Sequence, residues 1–215
     1  MTDPCEAYHV WYYDTRVWFT TKFLGVPTQK SVSDLWNYQE ILTELKPSLV
    51  LEFGTLYGGS TLFFATILGL VSRRSKVLSV DVDHSKVDER VRRHRQVELM
   101  QSDTTLPAVA SRITALRRKY PGKVFCIVDS NHTKNHVLGE LMLLRGVTRP
   151  GDYVVVEDGN INGHPVWPGW GEGPYEALEE YKARYPDDYT PDLEREQKFG
   201  FTFAPKGFLI RRGPV

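Results

Sequence analysis

Three carboxylates and one histidine carry the sharpest chemical pattern in this sequence. Asp129 closes the apolar run KVFCIVDS (123 to 130), and Glu157 and Asp158 close DYVVVEDG (152 to 159). Each acid stands where a short strand is expected to end, so three negative charges gather on adjacent strand tips and repel one another unless a cation is shared. Oxygen ligands with no cysteine nearby suit magnesium, or manganese, better than zinc. Asp129, Glu157 and Asp158 are therefore the candidate metal ligands. His132 follows Asp129 by three residues, which sets an imidazole on the loop just beyond the cation, within reach of a proton on a bound hydroxyl. His132, with Asp129, forms the candidate catalytic pair. A loop histidine without a ligand remains an open reading, whereas a zinc pair of His132 and His136 lacks the glutamate that follows the first histidine in the helical zinc motif.

A second pattern lies upstream. Residues 49 to 60, LVLEFGTLYGGS, read as an apolar strand that ends in an acid and a glycine turn whose small residues admit a ligand close to backbone N–H groups. Glu52 followed by Gly54, Gly58, Gly59 and Ser60 departs from the dinucleotide spacing of glycines. It suits S-adenosylmethionine better, which offers an ammonium, a carboxylate and a ribose diol in place of a pyrophosphate. A plain strand-to-helix connection is the bland alternative. Asp81 and Asp83 end the next apolar run, 29 and 31 residues beyond Glu52. Asp81 is the expected ribose carboxylate, and Asp83 suits a helix cap before HSKVDERVRR. Ser102 and Asp103, in QSDTT, occupy the adjoining strand end and face the adenine, with an N-cap as the competing role for Asp103.

Five continuously apolar runs, at 48 to 54, 76 to 83, 97 to 103, 123 to 130 and 152 to 159, imply strands buried on both faces. Helical spacing in 60 to 74 and 135 to 147 makes strands and helices alternate, the order of a doubly wound parallel sheet. Such a run closed by an antiparallel hairpin, expected in GFTFAPKGFLIRR around residues 204 to 207, is the order of class I methyltransferases. DLWNYQEILTELKP predicts an amphipathic helix stopped near Pro47, and YEALEEYKARY another. NINGHPVWPGWGEGP (160 to 174) predicts a long loop at a strand's C-terminal end, where such folds bind ligands.

The 215 residues suit one domain, 1 to 215, with residues 1 to 47 as an aromatic and helical segment covering a cofactor or dimer face and residues 48 to 215 as the core. Lysine plus arginine, 27, equals aspartate plus glutamate, 27, so no basic surface for nucleic acid is expected. Cys5 and Cys126 read as thiols of a reducing compartment. No apolar run reaches the roughly 18 residues of a membrane span, and the polar start MTDPCEAYH lacks signal-peptide regions, so a cytoplasmic location away from membranes is expected. The aromatic crowd in YHVWYYDTRVWF (8 to 19) predicts a ligand cleft or a subunit contact, the latter in a homo-oligomer such as a dimer.

Several segments together resemble the family named after cephalosporin hydroxylase and rhamnosyl O-methyltransferase. They are LWNYQEILTELKPSLVLEFGTLYGGST (35 to 61), LSVDVD (78 to 83), VDSNHTKNHVLGELML (128 to 143), PGDYVVVEDGNING (150 to 163) and FTFAPKGFLIRR (201 to 212). The resemblance covers most of the chain and implies a Rossmann-like class I methyltransferase. It implies S-adenosylmethionine at Glu52, Gly54, Gly58, Ser60 and Asp81, and magnesium at Asp129, Glu157 and Asp158. The metal acids correspond in arrangement to those of catechol-type methyltransferases, whose lysine base stands where this chain has His132. Within the family the chain is similar to enzymes acting on sugar hydroxyls, actinobacterial methylmannoside O-methyltransferases among them. The acceptor is thus expected to be a small molecule or oligosaccharide with a mannoside- or rhamnoside-like hydroxyl. Tyr57 and Asp129 are also expected among the cofactor-binding residues, and Tyr57 and the tryptophans of the 160 to 170 loop are candidates to stack on such a sugar or, for the latter, to pack that loop. The alternatives are a methyltransferase for a non-sugar metabolite, a non-haem iron hydroxylase using His132 and two carboxylates, and a cofactor-binding partner without turnover. The alternating parallel-sheet pattern argues against the hydroxylase, which would need a double-stranded β-helix.

Overall fold

A computed structural model describes residues 3–72 and 74–213; Met1, Thr2, Arg73, Pro214 and Val215, which the expected domain and helix limits include, lie outside the described residues. The chain opens with α1 (Pro4–Asp14), a 3-10 turn (Val17–Thr20), a two-stranded hairpin of β1 (Lys22–Phe23) and β2 (Val26–Pro27), and α2 (Val32–Leu45). The core follows as β3 (Leu49–Phe53), α3 (Gly59–Val71), β4 (Lys76–Asp81), α4 (Glu89–Arg92), β5 (Val97–Gln101), α5 (Pro107–Lys119), β6 (Val124–Val128), α6 (Lys134–Val147) and β7 (Tyr153–Val156). It closes with α7 (Pro174–Arg184), β8 (Tyr189–Pro191), α8 (Leu193–Gln197) and β9 (Phe208–Arg211).

The main sheet runs β5-β4-β3-β6-β7-β9-β8, parallel from β5 to β7 and antiparallel at β9 and β8. Every residue of β3, β6 and β7 is buried, as continuous apolar runs require. Their side chains alternate between two cores. Leu49, Leu51 and Phe53 of β3 join Val137, Leu141 and Leu144 of α6, while Val50 joins Leu42 of α2 and Phe64 and Leu68 of α3 on the other face. Helices on both faces leave one open end: the C-terminal edge between β3 and β6, where the strand order reverses and α/β folds bind ligands.

Three expectations shift in detail. The antiparallel pair at the sheet edge is β8 with β9, so the first strand of the pair comes from Tyr189–Pro191. The run FTF at 201 to 203 is no strand; buried Asp34 of α2 pins it, accepting from Thr202 Oγ1 at 2.7 Å and the Phe203 N–H at 2.8 Å. Asp83 holds Ser85 in a local turn, and the cap of α4 is Asp88. Cys5 and Cys126 are both free thiols. No described helix is long and apolar enough to cross a membrane.

The N-terminal segment folds over the open end. Buried His9 of α1 lies against Phe201 and Phe203, and Asn160, in the loop after β7, donates its amide N–H to His9 Nε2 at 3.0 Å. That bond requires a neutral ring. Burial accordingly pulls the His9 pKa from 6.5 down to about 4. Between those values the unfolded chain binds a proton that the folded protein refuses, so His9 subtracts stability as pH falls from 6.5 towards 4. Thermal melting between about pH 7 and pH 5 should show His9→Gln losing less stability on acidification than the wild type. Parallel pH slopes for the two proteins would contradict this role.

Candidate active site

A cavity of about 580 Å³ opens at the reversal point. The tips of β3, β4, β5 and β6 bound it on one side, and aromatic residues of the N-terminal segment and the 160 to 170 loop bound it on the other. Of the residues expected to bind the cofactor, Gly54, Ser60, Asp81, Ser102, Asp103 and Asp129 line it. Gly54 has φ +96°, and a Cβ there would collide with the carbonyl of Asp129, so the reversal point closes only around a glycine. Asp81 Oδ2 accepts the N–H groups of Thr55 and Leu56 at 2.7 and 3.1 Å, which holds the turn open from beneath. Asp103 also takes the capping-type role: its Oδ1 accepts from the Thr105 N–H at 2.8 Å.

Glu52, Tyr57 and Gly58 are corrections. Glu52 is buried under the turn; Ser60 Oγ donates to its Oε1 at 2.5 Å, and Thr61 and Ser79 hydroxyls donate to Oε2. A central strand residue points into a layer rather than off the strand end, so this acid ties α3 to the sheet and does not line the cavity. Tyr57 packs against Val26, Leu62, Val87 and Val91 and does not line the cavity. Gly58 caps α3 at φ +82° and faces the Val91 side chain, where a Cβ would approach to 2.9 Å.

Asp129, His132 and Asp158 converge, each offering a ligand atom within 4.8 Å of the others. His132 stands between the acids, with Nδ1 3.2 Å from Asp158 Oδ2 and Nε2 3.6 Å from Asp129 Oδ1. Asp158 reaches this position by adopting φ 55° just past β7, a left-handed conformation aspartate tolerates. Its neighbour Glu157 does not follow. Glu157 points into the protein, accepts from the Tyr38 hydroxyl at 2.5 Å and lies 3.4 Å from Lys30 Nζ. Consecutive residues leaving a strand diverge, so Glu157 stands apart from the convergent set that the sequence pattern assigns it to. Burial, only partly offset by Lys30, raises its pKa to about 8.

Sequence reasoning missed Lys30. Its ammonium pairs with Asp129 Oδ2 across 99 residues, so the acids are not left to an external cation alone. No motif advertises a contact of that separation. His136 also differs from a zinc partner: it sits 2.9 Å from Thr104 Oγ1, which donates to buried Glu140, and it is outside the convergent set. The aromatic wall is Tyr13, Trp18, Phe19, Trp167 and Trp170. Trp167 meets Tyr13 edge-on at 5.0 Å and stacks on Trp170 at 5.4 Å, while Trp170 is half exposed. The loop tryptophans thus both pack the loop and present ring surface to the cavity.

The electrostatics set the state of His132. Burial disfavours its cation, but Asp158 and Asp129 outweigh that and raise the pKa to about 9. With no divalent ion present it is an imidazolium at neutral pH, lacking the lone pair a base or ligand needs. Removing an anion should reverse this. Proton NMR of the metal-free protein should find His132 titrating near 9, and Asp158→Asn should bring it down by roughly one to three pH units. A His132 that titrates at its ordinary value in both proteins would contradict the arrangement.

A family model described as rhamnosyl O-methyltransferase/CmcI matches residues 15–212. The rhamnosyl O-methyltransferase of Mycobacterium bovis (strain BCG / Pasteur 1173P2) is 56% identical over 206 residues, covering 96% of this chain and 84% of the relative. That of Mycobacterium leprae (strain TN) is 53% identical over 207 residues, covering 96% and 90%. Among solved structures, an apo structure of CmcI has a TM-score of 0.73 at 19% identity over 91% of this chain and 78% of that chain. A structure of CmcI with magnesium and S-adenosylmethionine has a TM-score of 0.70 at 19% identity, with the same coverage. These structural likenesses establish the shared class I fold. The extent of the family match and of the mycobacterial identities goes further: the chain belongs to the rhamnosyl O-methyltransferase/CmcI family of S-adenosylmethionine-dependent O-methyltransferases.

Proposed function

We propose that this chain transfers methyl from S-adenosylmethionine to a hydroxyl of a sugar, rhamnoside- or mannoside-like, and that it uses magnesium to do so. The observation that carries the reading is the convergence of Asp129, His132 and Asp158 on the cavity that the Gly54 turn opens. The donors fit a hard divalent ion: the carboxylates of Asp129 and Asp158, with no thiolate, the neighbouring imidazole of His132 being left for proton transfer. Relatives named as rhamnosyl O-methyltransferases support a deoxysugar as acceptor.

S-adenosylmethionine supplies an electrophilic methyl group and magnesium a Lewis acid for the acceptor oxygen. The chain's own residues do the rest. Asp81, Ser102 and Asp103 line the half of the cavity away from the acids and bind the nucleoside, and Gly54 keeps the backbone clear for it. Asp129 and Asp158 would hold the cation, and with their charge shared they would no longer keep the His132 pKa up at about 9. The imidazole then regains a lone pair beside the acceptor hydroxyl and takes its proton. Tyr13, Trp18, Trp167 and Trp170 offer aromatic faces to the C–H surface of the sugar and exclude water from the opening.

Release of S-adenosylhomocysteine from S-adenosylmethionine and a rhamnoside should require a divalent ion, vanish with chelator and return with magnesium. His132→Ala should lower kcat by roughly a hundredfold to ten-thousandfold with cofactor affinity kept, and should lose the limb of the profile that rises with pH. Full turnover in chelator would overturn the magnesium role. A metal-bound His132→Ala enzyme with wild-type kcat and pH profile would overturn the base, and inert glycosides beside an active non-sugar alcohol would overturn the acceptor.

A further inference from the structure

The acids at the ends of β6 and β7 carry a partner that this mechanism does not use. The Lys30 side chain is 4% exposed, its ammonium pairs with Asp129 Oδ2, and it lies 3.4 Å from Glu157 Oε1. It belongs to the stretch between β2 and α2, where Thr28 and Gln29 line the cavity, so the ammonium reaches the acids from the cavity's own wall. A buried ammonium loses its hydration and is retained only where anions repay that loss. Here the anions include Asp129, which also belongs to the set offered to a divalent ion. One carboxylate thus serves two cations. Its Oδ2 is occupied by Lys30 and its Oδ1 faces His132. A positive charge fixed this close to a cation site opposes the entry of any further positive charge.

We propose that Lys30 is the resident cation of this carboxylate cluster: it stabilises the metal-free fold by pairing with Asp129, and by the same charge it weakens the site's hold on a divalent ion. The inference rests on the cation reading of the site given above and adds the residue that sets the affinity. What the ammonium contributes to the metal-free protein must be given up, wholly or in part, when the ion binds, because both draw on Asp129. Metal loading is thereby coupled to the segment that carries Thr28 and Gln29 into the cavity wall.

The test is divalent affinity, measured by calorimetry with magnesium alone and by electron paramagnetic resonance with manganese alone. Lys30→Gln keeps a donor for Asp129 without the charge and should bind either ion about tenfold more tightly or better. Lys30→Arg keeps the charge and should retain wild-type affinity, which a purely steric role for Lys30 would not require. Magnesium should also raise the melting temperature of Lys30→Gln more than that of the wild type. Equal or weaker binding by Lys30→Gln would overturn the assignment to Lys30 while leaving the cation site in place. Absence of divalent binding to wild type and variant alike would remove the site reading and this inference together. If Lys30→Gln folds only with magnesium present, the exchange of cations is borne out; a chain that stays unfolded in saturating magnesium overturns it.

Discussion

Negative charge gathered out of water is the constraint on which this structure turns. Asp129, Glu157 and Asp158 follow the ends of two neighbouring parallel strands, and although Glu157 turns into the protein, all three leave the sheet at the same edge. Each is compensated from a different direction. Lys30 arrives from the N-terminal segment, the Tyr38 hydroxyl from α2, and His132 from the loop that follows β6. The segment before the sheet is therefore part of the site's electrostatics as well as its cover. Its aromatic residues wall the cavity, and His9 and Asp34 fasten it to the loop after β7 and to the 202–203 stretch.

The same sheet divides the acids by their chemistry. Glu52, in the middle of the sheet and answered by three hydroxyls, is a structural tie between β3, β4 and α3. Asp81, at a strand end, organises backbone N–H groups of the glycine turn while facing the cavity. Asp129 and Asp158 keep oxygens toward open space and toward each other, with an imidazole between them. Position along the strand, more than residue type, separates a tie from a ligand: the side chains that reach the cavity stand at the last residue of a strand, as Asp81 does, or just beyond it, as Asp129 and Asp158 do.

Strands β3, β6 and β7 were legible because burial on both faces forces continuous apolar runs, whereas β5, expected to be buried likewise, is an edge strand and only partly buried. The switch point, with Gly54 and Asp129 on its two sides, needed the order of the strands in the sheet, which the order of runs along the chain does not give. What escaped the sequence is of two kinds. Glu157 and Asp158 are adjacent in sequence and end up in different environments, since the left-handed turn at Asp158 is a matter of backbone geometry that neighbouring letters do not encode. Lys30 and Tyr38 are distant partners of Asp129 and Glu157, and spacing within a motif cannot announce a contact made by the docking of another segment. The edge pairing misplaced by one strand has a similar origin: FTF has strand-like composition, but a buried aspartate claims its backbone before a neighbour strand can.

The central claim is that this convergence of acids and imidazole seats a divalent ion beside the cofactor cavity. Anomalous diffraction from crystals grown with manganese and S-adenosylhomocysteine tests it directly. The account predicts one strong anomalous peak in contact with Asp129 and Asp158, at the end of the cavity away from Ser102 and Asp103, with the nucleoside beside Asp81. Bound nucleoside with no peak at those carboxylates, or a manganese peak elsewhere on the chain, would contradict it.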